Sequence, residues 1–212
     1  MSPIARTVSL CSVFIFLVVS MFVYTTLQTP QLSEKELRER GVFLLPKPRD
    51  IAPFALQDHS GAIFDNERLR DRWTFLYFGF TSCPDICPTT MSVLGQVDAT
   101  LRQGEASEAE KFQGVLITVD PERDTADILG PYATAFSPNF FGVLGTREVT
   151  AELAQQLNAS FAKVPVEGGS YTMDHTGNII IINPRGHYHG FIKLPHKAET
   201  IRLTYQTLAA RF

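Results

Sequence analysis

Residues 73–91 read WTFLYFGFTSCPDICPTTM, and they combine an apolar run, a short polar turn with two cysteines and the beginning of a helical pattern. The run from Trp73 to Phe80 is apolar almost throughout, which is typical of a central strand covered on both faces. The turn places Cys83 and Cys87 four residues apart, so on a helical turn both side chains face the same side. We expect a strand, a cysteine turn and a helix that hold two thiols at one edge of a buried sheet.

The spacing of the two cysteines allows three kinds of site. Their Cα atoms would be about 6 Å apart, which a disulfide accepts. In the reduced state the pair can present two thiolates to one soft metal ion, and the third alternative is a purely structural disulfide or two inert thiols. Pro84 and Pro88 lack the backbone N–H, which is tolerated in the opening turn of a helix. The thiols are therefore expected at or just before a helix N-terminus, where the helix dipole favours the thiolate.

The composition indicates one folded domain with accessory segments. The chain has 212 residues, 44% of them hydrophobic, which is enough for a sizeable core. The formal net charge is −3 and no block of Lys and Arg occurs, so nucleic acid is not an expected partner. Cys11, the third cysteine, lies in an apolar N-terminal segment, and this leaves a single pair of thiols in the domain.

The N-terminal segment predicts a membrane anchor. Residues 8–27 contain no charged side chain and match the length of a bilayer core. The exit from this segment, YTTLQTPQ, has no pair of small residues for signal cleavage, so an uncleaved single-pass helix is favoured over a cleaved signal peptide. We divide the chain into a short tail (1–7), a transmembrane anchor (8–27), a linker (28–50) and a folded domain (51–212). The flanking charges leave the sidedness of the domain open.

Beyond residue 50 the sequence alternates between strand-like and helix-like patterns. This alternation implies crossover connections and an α/β fold. The NIIII run and the NPRG turn after it predict an antiparallel strand pair. Gly130-Pro131 should kink or split the helix that begins at Ala126. The predicted elements are a hairpin over 53–64, strands over 73–80, 112–119, 139–144, 178–182 and 187–193, and helices over 89–101, 126–136, 146–158 and 198–211.

His175 is the best candidate for a third metal ligand. It lies in the segment YTMDHTG just before a buried strand, and loops at the sheet edge are where the cysteine turn is also expected. His187 and His189 share one face of a predicted strand, and a half-exposed strand face is the preferred interpretation for them. His196 precedes the last helix, and Met91 is expected to fill the core instead of binding copper. Two thiolates and one imidazole suit Cu(I), and zinc with an added water is the alternative.

Three motifs resemble those of the Sco/SenC family of membrane-anchored, copper-binding, thioredoxin-like proteins. The segment TSCPDICPTT at 81–90 is similar to the family's metal motif, VDPERDT at 119–125 to its second signature, and YTMDHTG at 171–177 to its Asp-His segment. The three occur in the order of the family. The resemblance extends over essentially the whole domain, from about Pro53 to the last helix.

The resemblance implies a thioredoxin-like fold, with a mixed central sheet flanked by helices, and a copper site formed by Cys83, Cys87 and His175. This site would take one ion per chain, as Cu(I) or Cu(II). The resemblance also implies a metallochaperone rather than an enzyme, which assists assembly of the CuA centre of cytochrome c oxidase. The expected partner is the CuA-bearing subunit or another periplasmic copper or thiol protein. Because the short N-terminal tail lacks an Arg- and Ser-rich transit peptide, we expect a bacterial inner-membrane protein with its domain in the periplasm.

The main alternative is an enzyme that uses the same cysteine pair. A thiol–disulfide oxidoreductase or a redox sensor would need Cys83 and Cys87 but has no obvious use for His175. Copper affinity, in contrast, should depend on His175. A thioredoxin-fold peroxidase is disfavoured because the second cysteine is so near the first and each is followed by proline.

Overall fold

The structure, a computed structural model, describes residues 2–27, 31–104 and 109–212. Within these ranges the helices are α1 (Pro3–Leu27), α2 (Glu34–Glu39), α3 (Ile86–Gln103), α4 (Ala126–Phe136), α5 (Arg147–Gln156) and α6 (Ala198–Ala209). The strands are β1 (Val42–Arg49), β2 (Ala55–Asp58), β3 (Ile63–Asp65), β4 (Trp73–Gly79), β5 (Phe112–Thr118), β6 (Phe141–Leu144), β7 (Phe161–Pro165), β8 (Tyr171–His175), β9 (Ile179–Ile182) and β10 (Tyr188–Ile192).

Eight of these strands form one mixed sheet, in the order β1-β10-β9-β4-β5-β6-β2-β3. The strands β4, β5 and β6 pair in parallel, and every other pair in the sheet is antiparallel. All residues of β4, β5 and β9 are buried, as the continuous apolar runs predict for strands covered on both faces. The remaining strands, β7 and β8, form a separate antiparallel hairpin. The predicted mixed sheet flanked by helices is confirmed.

Helix α3 packs against both α4 and α6, and its apolar side is buried. Gly95 permits the close approach to α4, because a Cβ at this position would lie 2.5 Å from the Phe136 carbonyl oxygen. Of the kink or split predicted at Gly130-Pro131, the split does not occur, since α4 continues from Ala126 to Phe136. Pro131 removes one backbone donor, and the Thr134 hydroxyl bonds to the Gly130 carbonyl in the same turn.

The segment predicted as a linker differs most from expectation. Its residues 31–49 contain α2, which begins with a capping box formed by Ser33 and Glu36, and the edge strand β1 paired with β10. Leu37 and Val42 are buried in the core. The folded unit therefore begins near residue 31, not at 51. Residues 28–30 of the predicted linker lie outside the described residues.

Helix α1 contains the predicted anchor. Its segment Pro3–Val23 has a mean hydropathy of 2.1, and none of it is buried in the structure. The helix is therefore long and apolar enough to cross a bilayer. Cys11 is exposed on this helix, remote in sequence from the cysteine pair of the domain.

Candidate metal centre

Two connections meet at one edge of the sheet and bring the predicted ligands together. Cys83 lies in the loop after β4, and Cys87 lies in the first turn of α3. His175 is the last residue of β8, and the strand that follows begins with Ile179 paired to Tyr77 near the end of β4. Because β9 runs antiparallel to β4, the chain that enters β9 passes the edge where β4 ends.

The side chains of Cys83, Cys87 and His175 form one compact cluster. Their candidate ligand atoms all lie within 4.8 Å of one another, and the Cys87 Sγ is 3.4 Å from the His175 Nε2. Both cysteines are free thiols in the structure. Cys87 is fully buried, Cys83 is 8% exposed and His175 is half-buried. The cluster is thus open to the outside from the Cys83 and His175 side.

The imidazole of His175 is held in one tautomer and one orientation. Its Nδ1 lies 3.3 Å from the carbonyl oxygen of Thr176, and a carbonyl only accepts, so Nδ1 carries the proton. The lone pair of Nε2 then faces the thiols. The ring stands edge-on to Tyr77 and Phe80, with centroid distances of 5.6 and 5.9 Å. Burial lowers the pKa of His175, which keeps the ring neutral and available as a ligand.

The state of the Cys87 thiol differs from the sequence-based expectation. The position in the first turn of α3 predicted a stabilised thiolate, but burial raises the pKa of Cys87 well above its ordinary value. Desolvation disfavours the anion more strongly than the helix terminus favours it. A thiol of this kind releases its proton when a metal ion replaces it, because the metal supplies the positive charge that the site lacks.

Asp124 ties the cysteine turn to the end of β5. It is 1% exposed and accepts hydrogen bonds from the Thr81 amide, the Thr81 hydroxyl and the Thr118 hydroxyl. Thr118 in turn accepts a hydrogen bond from the Asp120 amide. Thr125 is the N-cap residue of α4 but makes no side-chain cap bond. The carboxylate of Asp124 instead fixes the backbone two residues before Cys83.

A second group of contacts joins the loop that follows β5 to the hairpin that carries His175. Asp120 is buried and accepts hydrogen bonds from the Arg123 guanidinium and the Tyr171 hydroxyl. The guanidinium also donates to the Tyr171 carbonyl and stacks 4.0 Å from the centroid of that ring. Tyr171 is the first residue of β8, so this contact restrains the strand that ends at His175. Sequence reasoning noted VDPERDT as a motif but assigned no contact to it.

The other candidate ligands have separate partners, as expected. His187 pairs with Asp50 at 3.2 Å, and His189 contacts Asn183 at 3.2 Å and packs edge-on against Trp73. His196 Nδ1 lies 3.1 Å from the Thr90 hydroxyl, and the fully buried Met91 fills the core.

Comparison with known proteins decides the family. The family described as SCO1/SenC matches residues 45–210 of the chain. The chain belongs to the SCO1/SenC family. Among its Sco relatives, an SCO2-like protein of Rickettsia prowazekii is 31% identical over 184 residues, which is 86% of this chain and 86% of that protein. A candidate copper-binding protein of Stutzerimonas stutzeri is 37% identical over 166 residues, which is 78% of this chain and 80% of its own length.

Solved Sco structures share the fold. Copper-bound ScoI of Arabidopsis thaliana superposes with a TM-score of 0.70 at 27% identity, over 77% of this chain and 100% of that chain. Metal-free Sco1 of Thermus thermophilus has a TM-score of 0.69 at 31% identity, over 79% of this chain and 95% of that one. The predicted family and the predicted thioredoxin-like fold are therefore confirmed.

Proposed function

We propose that this Sco protein binds one copper ion through the Sγ atoms of Cys83 and Cys87 and the Nε2 of His175. The observation that carries the proposal is the approach of these three ligand atoms to within 4.8 Å of one another. Thiolates select Cu(I) and imidazole binds copper in either oxidation state. The copper bound by the solved Arabidopsis thaliana relative supports copper over zinc.

The residues present fit a Cu(I) ion chemically. Two thiolates and a neutral imidazole give three donors, and the donor nitrogen of His175 is the one left unprotonated by its tautomer. Binding must displace a proton from each thiol, so copper loading requires the reduced cysteine pair. The protein thereby couples the redox state of the pair to copper binding.

The proposed role is that of a metallochaperone for the CuA centre of cytochrome c oxidase, held at the bacterial inner membrane by α1 with its domain in the periplasm. Cys87 is fully buried, whereas Cys83 and His175 lie on the open side of the cluster. Thiolates of an acceptor would therefore replace the ligands on the open side first and Cys87 last. This order lets copper leave by exchange of ligands without release into solution.

One observation favours thiol exchange as a second function: both cysteines are free, and their sulfur atoms lie within the same 4.8 Å cluster. A reductase needs an attacking thiolate, however, and burial holds Cys87 in the thiol form. Exchange would thus start at Cys83, which at 8% exposed is the more accessible of the two buried thiols. We place thiol exchange second because it does not require the contact between His175 and Cys87.

Two reactions with a CuA domain separate these functions. The full chain in detergent micelles is loaded with Cu(I) and mixed with a reduced, metal-free CuA domain, and the copper on each protein is measured after separation. In a second reaction the reduced metal-free chain is mixed with the CuA domain in its disulfide form. A metallochaperone should transfer copper in the first reaction, and His175→Ala should abolish transfer while leaving disulfide reduction intact. Failure of transfer with efficient reduction would contradict the metallochaperone role.

A further inference from the structure

Three buried tyrosine hydroxyls lack a hydrogen-bond partner among the described residues: those of Tyr77, Tyr132 and Tyr188. A buried hydroxyl without a partner is unfavourable, and native proteins contain few of them. Two of the three, Tyr77 and Tyr132, belong to elements that flank the cysteine pair. Tyr188 lies at the opposite end of the sheet, in β10, where it pairs with Ile182.

Tyr77 lies directly beside the proposed ligands. It is fully buried in β4, and its ring is edge-on to His175. A Cβ placed on Gly79 would lie 3.0 Å from both the Cys87 Sγ and the Tyr77 Cε1, so these two atoms are no more than about 6 Å apart. Within the described part of the chain, the Tyr77 hydroxyl is buried without a partner in hydrogen-bond geometry, and it lies next to a thiol that metal binding would convert to an anion.

Burial, followed by the nearby Cys87, raises the pKa of Tyr77. The phenol thus keeps its proton and remains a hydrogen-bond donor.

The charge of the loaded site explains why a donor would lie here. A Cu(I) ion with two thiolates and a neutral imidazole carries one net negative charge inside a site where Cys87 is fully buried. A buried anion requires hydrogen-bond donors, and a thiolate accepts them more strongly than a thiol does. Beside the metal-free thiols, the Tyr77 hydroxyl has weak acceptors only.

We propose that Tyr77 donates an O–H···S hydrogen bond to the Sγ of Cys87 in the copper-bound state. The inference rests on the proposed copper site and adds to it a residue that stabilises its charge. Tyr77 acts on a ligand and does not bind the metal. The change Tyr77→Phe removes one oxygen atom and leaves the ring packing unchanged.

The test compares Tyr77→Phe with the matched control Tyr188→Phe in the full chain in detergent micelles. Cu(I) affinity is measured by competition with a chromophoric Cu(I) chelator. Thiolate formation in the reduced metal-free protein is followed by ultraviolet absorbance against pH. We expect Tyr77→Phe to lose about tenfold or more in Cu(I) affinity, as is typical for a hydrogen bond to a charged group. It should also form thiolate at higher pH than wild type.

The outcomes separate this inference from the proposed function. Tyr188→Phe should match wild type in both measurements, because its hydroxyl is equally buried and unpartnered but remote from the thiols. If wild type binds Cu(I) tightly and Tyr77→Phe behaves as the control does, donation by Tyr77 is refuted. If wild type itself binds no Cu(I), the proposed function fails first, and the thiolate titration still decides whether the Tyr77 hydroxyl stabilises the anion.

Discussion

Two replacements of Asp124 distinguish the contribution of its hydrogen bonds from that of its charge in the contact that holds the cysteine turn. In the structure one carboxylate oxygen accepts from the Thr81 amide and the Thr118 hydroxyl, and the other accepts from the Thr81 hydroxyl. In Asp124→Asn the amide nitrogen can take the second position, because a hydroxyl can accept as well as donate. All three hydrogen bonds then persist without the charge. In Asp124→Ala three donors lose their acceptor.

The two variants should therefore differ in magnitude. A hydrogen bond to a charged group contributes about 1.5–3 kcal/mol, and a neutral one contributes about 0.5–1.5 kcal/mol. Asp124→Asn also removes the cost of burying a charge. We therefore expect this variant to lose about 1–2 kcal/mol of stability. Asp124→Ala leaves buried donors unsatisfied and opens a small cavity, for which we expect a loss of about 3–5 kcal/mol. The second loss is a large share of the stability of a domain of this size.

Urea unfolding of the metal-free protein, with Cu(I) affinity measured on the same samples, provides the assay. Affinity should fall in the same order as stability, because Asp124 fixes the backbone two residues before Cys83. The exposed Asp127 on α4 supplies the control, and Asp127→Asn should change neither quantity. The reasoning is refuted if the Asn variant is as unstable as the Ala variant, or if the Ala variant retains wild-type stability and affinity.

Three further predictions concern the fold and the surroundings of the site. Burial alone would raise the pKa of Asp58, but the hydrogen bonds to its carboxylate and the charge of Arg68 outweigh burial and lower this pKa. The carboxylate should therefore stabilise the fold above about pH 4, and this stabilisation should be lost as the pH falls through the folded-state pKa. In unfolding experiments at acid pH, Asp58→Asn should not show this loss of stability. Gly79→Ala would place a Cβ 3.0 Å from the Cys87 Sγ and should weaken Cu(I) binding in a competition assay, whereas Gly104→Ala should not. A fragment that begins at residue 51 lacks α2 and β1, and it should aggregate or melt at a lower temperature than one that begins at residue 31.

The elements that could be predicted from sequence are those that depend on local pattern. The buried run of β4, the hairpin of β2 and β3 and the helix capped by Thr146 were predicted close to their observed bounds. The strand β1 was not predicted because Pro46 and Pro48 favour an extended chain, which was assigned to a linker. An edge strand tolerates proline on its unpaired side, and the pairing of β1 with β10 is irregular between Leu44 and Arg49, where both prolines lie.

The parts of the site that could not be predicted depend on tertiary contacts. The three proposed ligands were identified from residue type, spacing and family resemblance. The partner of Asp124 is 43 residues away in sequence, and that of Tyr171 is 51 residues away, so neither contact leaves a local signal. The raised pKa of Cys87 likewise follows from complete burial, whereas the sequence showed only its position near a helix terminus.

The most direct test of the copper site is the stoichiometry and affinity of Cu(I) binding to the reduced full chain in detergent micelles, for wild type, His175→Ala and His189→Ala. His189 is a half-buried histidine of the same domain that contacts Asn183, remote from the thiols. We expect one Cu(I) per chain in wild type and His189→Ala. His175→Ala should bind at least about 100-fold more weakly, since even residues that only orient metal ligands contribute about 10- to 100-fold. Equal affinity in wild type and His175→Ala, or no tightly bound copper in wild type, would contradict the three-ligand site.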